Sequence, residues 1–177
     1  MKDRKSCKGQ RQAHAPVVAI ALGSESDMPI MREAAKALEE LQIPYELHII
    51  SAHRSPQRAA ELAEEAAARG IKVIIAGAGG AAHLAGAIAA RTVLPVIGVP
   101  IKTQELEGLD SLLSTLQMPK GVPVATVAIN GARNAALLAA QMLALSDPGL
   151  AEELRNMRRR MEQEIEEKSR QLELMEE

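Results

Sequence analysis

Short apolar runs alternate along this chain with longer segments in which apolar residues recur at helical spacing. Residues 17–22 are apolar throughout, as expected of a strand covered on both faces. In residues 30–41 the apolar positions recur every three or four residues, which is typical of an amphipathic helix. The alternation predicts further strands at 45–50, 71–76, 95–99 and 124–129, and further helices at 56–69, 81–90, 109–116 and 132–145. Strands and helices that alternate over short connections favour a doubly wound, parallel α/β sheet with right-handed crossovers.

Two of these elements carry additional signals. The second helix is delimited by Ser55 at the N-cap, Pro56 at the first helical position and Gly70 just past its end. The strand before it, residues 45–50, is more polar than the others and has His48 on its polar face. Such a strand suits the edge of a sheet, and we interpret His48 as structural.

The C-terminal stretch differs from the rest of the chain because one apolar stripe runs along a mostly charged helix. A helix of about 25 residues is roughly 38 Å long, which exceeds a compact domain of this size. We therefore predict three parts: a basic tail (1–15), an α/β domain (16–146) and a C-terminal helix (147–177) that packs on a neighbouring subunit of a homo-oligomer. The alternative is a helix that folds back on its own domain. The stripe consists of Leu150, Leu154, Met157, Met161, Ile165, Leu172 and Met175.

Composition narrows the possible functions. The 177 residues are enough for one well-buried core, and 47% of them are hydrophobic. Tyr45 is the only aromatic residue among Phe, Tyr and Trp. Proteins that bind single-stranded nucleic acid rely on aromatic stacking, so that class is disfavoured.

The charge is unevenly distributed. Residues 1–15 carry five basic side chains and one acidic one, whereas the whole chain has a net charge of −2. We interpret the basic tail as a solvated extension, since it has no apolar face to bury and nothing downstream supports a nucleic-acid arm. Cys7, the single cysteine, lies in this tail and is assigned no role. Without a signal-peptide core or a bilayer-spanning stretch, a cytoplasmic protein that contacts neither membrane nor nucleic acid is expected.

Polar residues follow three of the predicted strands, at the sheet edge where open α/β folds bind ligands. After the first strand, Ser24 and Ser26 precede a helix, and hydroxyls with free backbone N–H groups can hold a phosphate there. Asp27 either accepts hydrogen bonds from ribose hydroxyls or caps the helix. The segment has no Walker A lysine and no Gly-x-Gly-x-x-Gly, which disfavours an ATPase or a standard dinucleotide-binding protein.

The second strand is followed by Ser51, His53 and Arg54. A histidine can move protons near neutral pH, and an arginine can bind a phosphate through two parallel hydrogen bonds. One short loop can thus supply both a catalyst and an anion anchor. The alternative for His53 is an ordinary hydrogen-bonded loop residue.

The third strand is followed by residues 77–80, which are rich in glycine, and then by His83 in the expected first helical turn. Such a backbone lets a planar group approach main-chain amides, or else serves tight packing between strand and helix. A metal site is not expected, because His53 and His83 lack a carboxylate or thiolate set at ligand spacing.

Together these segments resemble the family of N5-carboxyaminoimidazole ribonucleotide mutases of purine biosynthesis. The resemblance covers residues 17–145 in the family's order and spacing. The matching stretches are Gly23-Ser24-Glu25-Ser26-Asp27, Ser51-Ala52-His53-Arg54-Ser55-Pro56, Ala76-Gly77-Ala78-Gly79-Gly80-Ala81-Ala82-His83-Leu84, Asp110-Ser111-Leu112-Leu113-Ser114 and Gln117-Met118-Pro119.

The resemblance implies a three-layer αβα, flavodoxin-like sheet of strand order 2-1-3-4-5 and an octamer whose C-terminal helices reach across subunits. It implies movement of a carboxylate from the exocyclic nitrogen to the adjacent ring carbon, through loss and recapture of CO2, without a cofactor. His53 would be the acid and base. Among the substrate-binding residues, the phosphate would be bound by Ser24, Ser26, Ser51 and Arg54. Asp27 would bind the ribose, and the imidazole would be surrounded by Gly79, His83 and Leu84.

Two branches of the family differ in the residue after the catalytic histidine. The mutases have Arg there together with a Gly-Gly-Ala-Ala-His segment, whereas the branch that carboxylates aminoimidazole ribonucleotide with CO2 has Lys. Arg54 and His83 are similar to the mutase pattern. A CO2-dependent carboxylase, or a non-catalytic nucleotide-binding module of the same fold, are the alternatives.

Overall fold

The structure is a computed structural model that describes residues 15–175. Apart from Ala15, the predicted basic tail, with Cys7, lies outside the described residues. No helix between residues 15 and 175 combines the length and the apolar character needed to cross a membrane.

Five parallel strands form one sheet in the order β2-β1-β3-β4-β5. This confirms the predicted sheet, its strand order and the edge position of β2. The strand at its centre, β3, pairs with β1 on one side and β4 on the other. The strands are β1 (Val18–Leu22), β2 (Tyr45–Ile49), β3 (Val73–Gly79), β4 (Val96–Ile101) and β5 (Ala125–Thr126).

Helices cover both faces of the sheet. Side chains of α1 and α5 pack with alternate residues of β1, β3 and β4 in one core, and those of α2 and α3 pack with the intervening residues in the other. Alanines fill much of both helix–sheet contacts, which lets the helices lie close to the strands. The helices are α1 (Met28–Glu40), α2 (Pro56–Glu65), α3 (Leu84–Ala89), α4 (Leu109–Leu116), α5 (Ala132–Ala144) and α6 (Pro148–Glu173).

Several predicted boundaries are wrong, and the reasons are physical. The strand β3 continues through the glycine-rich segment to Gly79, because extended glycines still pair with β4. The strand β4 runs through Pro100, whose carbonyl accepts from Asn130 on the β5 side, where ladder pairing with β5 has already ended. The missing N–H of Pro100 thus costs no ladder bond. Two further elements are shorter than predicted: β5 has two residues, and α2 ends at Glu65, before a series of turns to Gly70.

The C-terminal helix packs on its own domain along only part of its length. Asp147 caps it by accepting a hydrogen bond from the backbone N–H of Leu150 (3.0 Å). Leu154 is 8% exposed, and Leu150 and Met157 pack against the core shared with α5. Further along the same stripe, Met161, Ile165, Leu172 and Met175 are exposed. The first turns therefore fold back, and the remainder of the apolar stripe is left uncovered.

Candidate active site

The loops after β1, β2, β3 and β4 surround one cleft of about 440 Å³ at the carboxyl edge of the sheet. It opens where the strand order reverses, since β1 leads outward to β2 on one side and β3 leads to β4 on the other. This is the position at which open α/β sheets bind ligands. Backbone hydrogen bonds tie the loops together: Gly23 N–H donates to Gly77 O (2.9 Å), and Ile50 N–H donates to Leu22 O (2.8 Å).

All nine residues predicted for the site line this cleft. They come from three separate segments of the chain that only the parallel sheet brings to one edge. Leu84 contributes mainly to the floor, because its side chain belongs to the core and is 2% exposed. The nine residues are Ser24, Ser26, Asp27, Ser51, His53, Arg54, Gly79, His83 and Leu84.

The loop after β2 is closed by hydroxyl groups. Ser55 Oγ donates to Ser51 O (3.0 Å) and accepts from Ser51 N–H (3.1 Å), so it does not cap α2 as predicted. Ser51 Oγ accepts the backbone N–H of Arg54 (3.1 Å), which leaves its own hydrogen free to donate to a ligand. These bonds fix the direction in which His53 and Arg54 leave the loop.

The segment after β1 provides donors for an anion. A short 3₁₀ helix, Glu25–Asp27, precedes α1, and in the described part of the chain the N–H groups of Glu25 and Ser26 have no protein acceptor. The guanidinium of Arg54 reaches the same place, where its terminal nitrogen lies 3.5 Å from Gly23 O. Backbone donors at a helix N-terminus next to an arginine form a suitable binding site for a phosphate.

Asp27 is the one buried carboxylate of the cleft. It is 7% exposed and makes no capping hydrogen bond to the helix backbone, which argues against the capping alternative. Burial raises the pKa of Asp27, and hydrogen bonds from the Ser24 backbone and the Ser26 hydroxyl only partly oppose this shift. A carboxylate that stays buried in a cleft, although its burial destabilises the folded state, is typical of a functional residue.

Replacing Asp27 by Asn is expected to raise the melting temperature of the ligand-free protein at pH 7, by about 2 °C. A raised folded-state pKa means that the fold favours the neutral carboxyl, so the wild-type protein loses stability as the pH rises through that pKa. The advantage of the variant should therefore shrink as the pH is lowered from 7 toward 4.5. Calorimetric melts of the wild-type protein and the variant across this range provide the check. An advantage that grows on acidification would contradict the shift.

His53 and His83 contact each other directly, which the sequence did not reveal. The distance between His53 Nε2 and His83 Nδ1 is 2.8 Å, and the rings meet edge to face with centroids 4.9 Å apart. His83 immediately precedes α3 instead of lying in its first turn, and this places its ring over the cleft. Of the two nitrogens one donates and the other accepts, and which ring donates depends on the tautomer of each histidine. The contact brings two exposed imidazoles from different loops together at the cleft.

Glycines on β3 form the wall opposite this pair. A side chain at Gly77 would collide with Met31 Sδ, so the glycine lets α1 approach the strand. A side chain at Gly79 would meet the methyl group of Thr103 at 3.0 Å. The packing interpretation thus applies to both glycines, since Gly77 lies against Met31 and Gly79 lies against Thr103. Gly79 also lines the cleft, so the approach of a planar ligand to its backbone stays a prediction.

Thr103, in the loop after β4, lines the cleft and was missed by the sequence reasoning. Its position at the carboxyl end of a fourth parallel strand was the available signal. His48 lies outside the cleft, 3.0 Å from Glu46, which also pairs with Arg69. Within residues 15–175, no three His, Cys, Asp or Glu side chains cluster in a way that could hold a metal ion.

The comparisons with protein-family models and with curated proteins both find similarity along most of the chain. The family model described as AIR carboxylase matches residues 17–164. The N5-carboxyaminoimidazole ribonucleotide mutase of Pyrococcus horikoshii is 59% identical over 164 residues, covering 93% of this chain and 93% of that protein. The mutase of Thermotoga maritima is 57% identical, covering 89% and 92%.

Two further comparisons concern a longer relative and a solved structure. The phosphoribosylaminoimidazole carboxylase of Schizosaccharomyces pombe is 54% identical over 159 residues, but these are only 29% of that protein. The crystal structure of Treponema denticola PurE matches with a TM-score of 0.81 at 30% identity, covering 89% of this chain and 98% of that one. The agreement extends over nearly the full length of the mutases and of the solved structure.

Proposed function

Because the chain belongs to the AIR carboxylase family, we propose that it acts as an isomerase, converting N5-carboxyaminoimidazole ribonucleotide to 4-carboxy-5-aminoimidazole ribonucleotide in purine biosynthesis. The mutases of Pyrococcus horikoshii and Thermotoga maritima align along more than nine-tenths of their length, whereas the chain spans less than a third of the fungal carboxylase. The observation that carries the proposal within the molecule is the His53–His83 contact in a cleft that is also lined by Arg54 and three serines.

In the proposed binding mode the phosphate, the ribose and the imidazole of the ribonucleotide each contact a different part of the cleft. The hydroxyls of Ser24, Ser26 and Ser51 and the guanidinium of Arg54 bind the phosphate, and Asp27 accepts hydrogen bonds from the ribose hydroxyls. The imidazole lies between the backbone at Gly79 and the histidine pair, with Leu84 beneath it. This order follows the distribution of donors, since Arg54 and the three serines belong to the first two loops, whereas Gly79 and Gly80 belong to the third.

His53 serves as both acid and base in this proposal. As the bond between N5 and the carboxylate carbon breaks, CO2 leaves and N5 takes a proton from His53. The neighbouring ring carbon then attacks the retained CO2, and its proton passes to His53. The histidine ends as it began, and the reaction is an isomerisation without a cofactor. Holding CO2 beside the carbon that recaptures it makes that step effectively unimolecular. His83, in contact with His53, keeps the ring oriented.

Labelled CO2 in solution distinguishes this activity from a CO2-dependent carboxylase. A mutase supplied with unlabelled N5-carboxyaminoimidazole ribonucleotide and ¹³C-bicarbonate should give product that keeps the substrate's own carboxylate. Mass spectrometry of the product reads the label directly, and a reaction without enzyme corrects for spontaneous decarboxylation. Product labelled to the level of the solution would instead favour the carboxylase.

The proposal also includes the oligomeric state of the protein and its location in the cell. An octamer of this chain in the cytoplasm would use the exposed part of α6 to contact neighbouring subunits, as a 26-residue helix with an uncovered apolar stripe suggests. Exposed leucines on and beside α4 (Leu106, Leu109, Leu113, Leu116) offer further apolar area. Sedimentation of the full chain measures the mass, and a monomer at micromolar concentration would contradict this assignment.

A further inference from the structure

Thr103 and Asp110 form a hydrogen-bonded pair at the rim of the cleft. Thr103 lines the cleft, and Asp110 lies in the first turn of α4. The distances from Thr103 Oγ1 to the two carboxylate oxygens of Asp110 are 3.4 and 3.3 Å, and both residues are partly buried. The mechanism described above uses neither residue.

The chemistry of the pair determines what Thr103 can offer a ligand. A carboxylate only accepts hydrogen bonds, so the single hydrogen of the Thr103 hydroxyl is directed at Asp110. The lone pairs of Oγ1 remain, and they can only accept. Thr103 therefore presents a fixed acceptor that favours an N–H group and disfavours a carboxylate.

The loop that carries Thr103 is tethered at both ends. The backbone N–H of Lys102 donates to Asn130 Oδ1 (2.9 Å), and Ser111 Oγ donates to Ile101 O (2.6 Å). Between these points Lys102 and Glu107 form an ion pair, and Gly108 has a φ of 92°, which suits glycine. Such a loop holds Thr103 in place before a ligand arrives.

The pair stands against the wall to which the proposed function assigns the imidazole. The methyl group of Thr103 is 3.0 Å from the place that a Cβ of Gly79 would occupy, and Asp110 Oδ2 is 3.9 Å from the equivalent place at Gly80. Thr103 therefore stands beside the glycines of β3, whereas the proposed function assigns the phosphate to the first two loops.

We propose that Thr103 accepts a hydrogen bond from the exocyclic nitrogen of the aminoimidazole ring, and that Asp110 is a positioning residue that fixes the direction of the Thr103 hydroxyl. The inference rests on the proposed function for the identity of the ligand. The subsite selects ligands with an N–H at that ring position and holds the nitrogen still while the carboxylate leaves it.

Two ribonucleotides that differ only in the exocyclic amine test this subsite. Calorimetry should show that the wild-type protein binds aminoimidazole ribonucleotide about tenfold more tightly than imidazole ribonucleotide, since a hydrogen bond contributes about that factor. Thr103→Val keeps the shape of the side chain but removes the acceptor, so the two affinities should become nearly equal. Thr103→Ser keeps the hydroxyl and should keep the preference. Asp110→Asn frees the hydroxyl to rotate and should reduce it.

The outcomes distinguish a ligand-binding role of Thr103 from a structural one. They also distinguish a failure of this inference from a failure of the proposed function. If Thr103→Val weakens both ligands equally, or leaves the preference intact, the assignment of Thr103 is wrong. If Asp110→Asn leaves the ratio unchanged, the positioning role is wrong. Thr103→Ala gives the same comparison should valine prevent folding. Wild-type turnover of N5-carboxyaminoimidazole ribonucleotide is measured separately, so a protein that binds with the expected preference but does not turn over would contradict only the proposed function.

Discussion

Replacing His53 by Asn is expected to lower kcat by about 10³-fold while the affinity for the ribonucleotide changes little. A positioned acid and base accounts for rate factors of roughly 10² to 10⁴, and His53 would have to act at two proton transfers. Asparagine keeps a polar side chain of similar reach near His83, but it cannot take up a proton at neutral pH. Single-turnover measurement of product gives the rate, and calorimetry with aminoimidazole ribonucleotide gives the affinity.

The matched control is His48→Asn, the same chemical change on β2. His48 contacts Glu46 away from the cleft, so its replacement should leave kcat within about twofold. His83→Asn should lie between the two, because it removes the hydrogen-bonding partner of His53 but not His53 itself. Full activity in His53→Asn would remove this residue from the mechanism, and an equal loss in His48→Asn would indicate a general effect on folding.

The predictability of this fold follows from its parallel sheet. Apolar runs covered on both faces are easily distinguished from amphipathic helices, and parallel strands bring their carboxyl ends to one edge. Ser24, His53 and His83 could therefore be placed in one cleft although they are far apart in sequence. What could not be predicted depends on side-chain direction. Whether Ser55 caps α2 or closes the loop on Ser51 depends on a backbone angle that the residue type leaves open.

The errors at strand ends have a common cause. Glycine and proline usually mark the end of a strand, but whether they end it depends on the partner strand. Gly79 stays in β3 because β4 continues beside it, and Pro100 stays in β4 because the pairing with β5 is already over. This lengthening of β4 also explains why Thr103 was missed, since the polar loop begins later than the sequence suggested and so reaches the cleft.

Replacing Arg54 by Met is expected to lower kcat/KM by about 10- to 100-fold, mainly through a higher KM. The side chain of Arg54 makes only long hydrogen bonds with the protein, 3.5 Å from Nε to Ser51 Oγ and 3.5 Å from Nη2 to Gly23 O, and it takes part in no ion pair within residues 15–175. Its charge is thus available to the phosphate. Hydrogen bonds between charged groups contribute about 1.5–3 kcal/mol, which corresponds to this range. Arg54→Lys keeps the charge without the two parallel bonds and should lose less.

The ligand itself supplies the decisive control for Arg54. If the guanidinium binds the phosphate, Arg54→Met should weaken the ribonucleotide but hardly affect the corresponding ribonucleoside, which lacks the phosphate. Arg91→Met removes the same charge from an arginine paired with Glu64 outside the cleft and should affect neither ligand. An equal loss for ribonucleotide and ribonucleoside would mean that Arg54 shapes the loop, and the phosphate would then have to be held by the hydroxyls and the backbone N–H groups of Glu25 and Ser26 alone. A loss of affinity confined to the ribonucleotide would fix the orientation of the ligand. With its phosphate at Arg54, the imidazole would point toward His53 and Thr103.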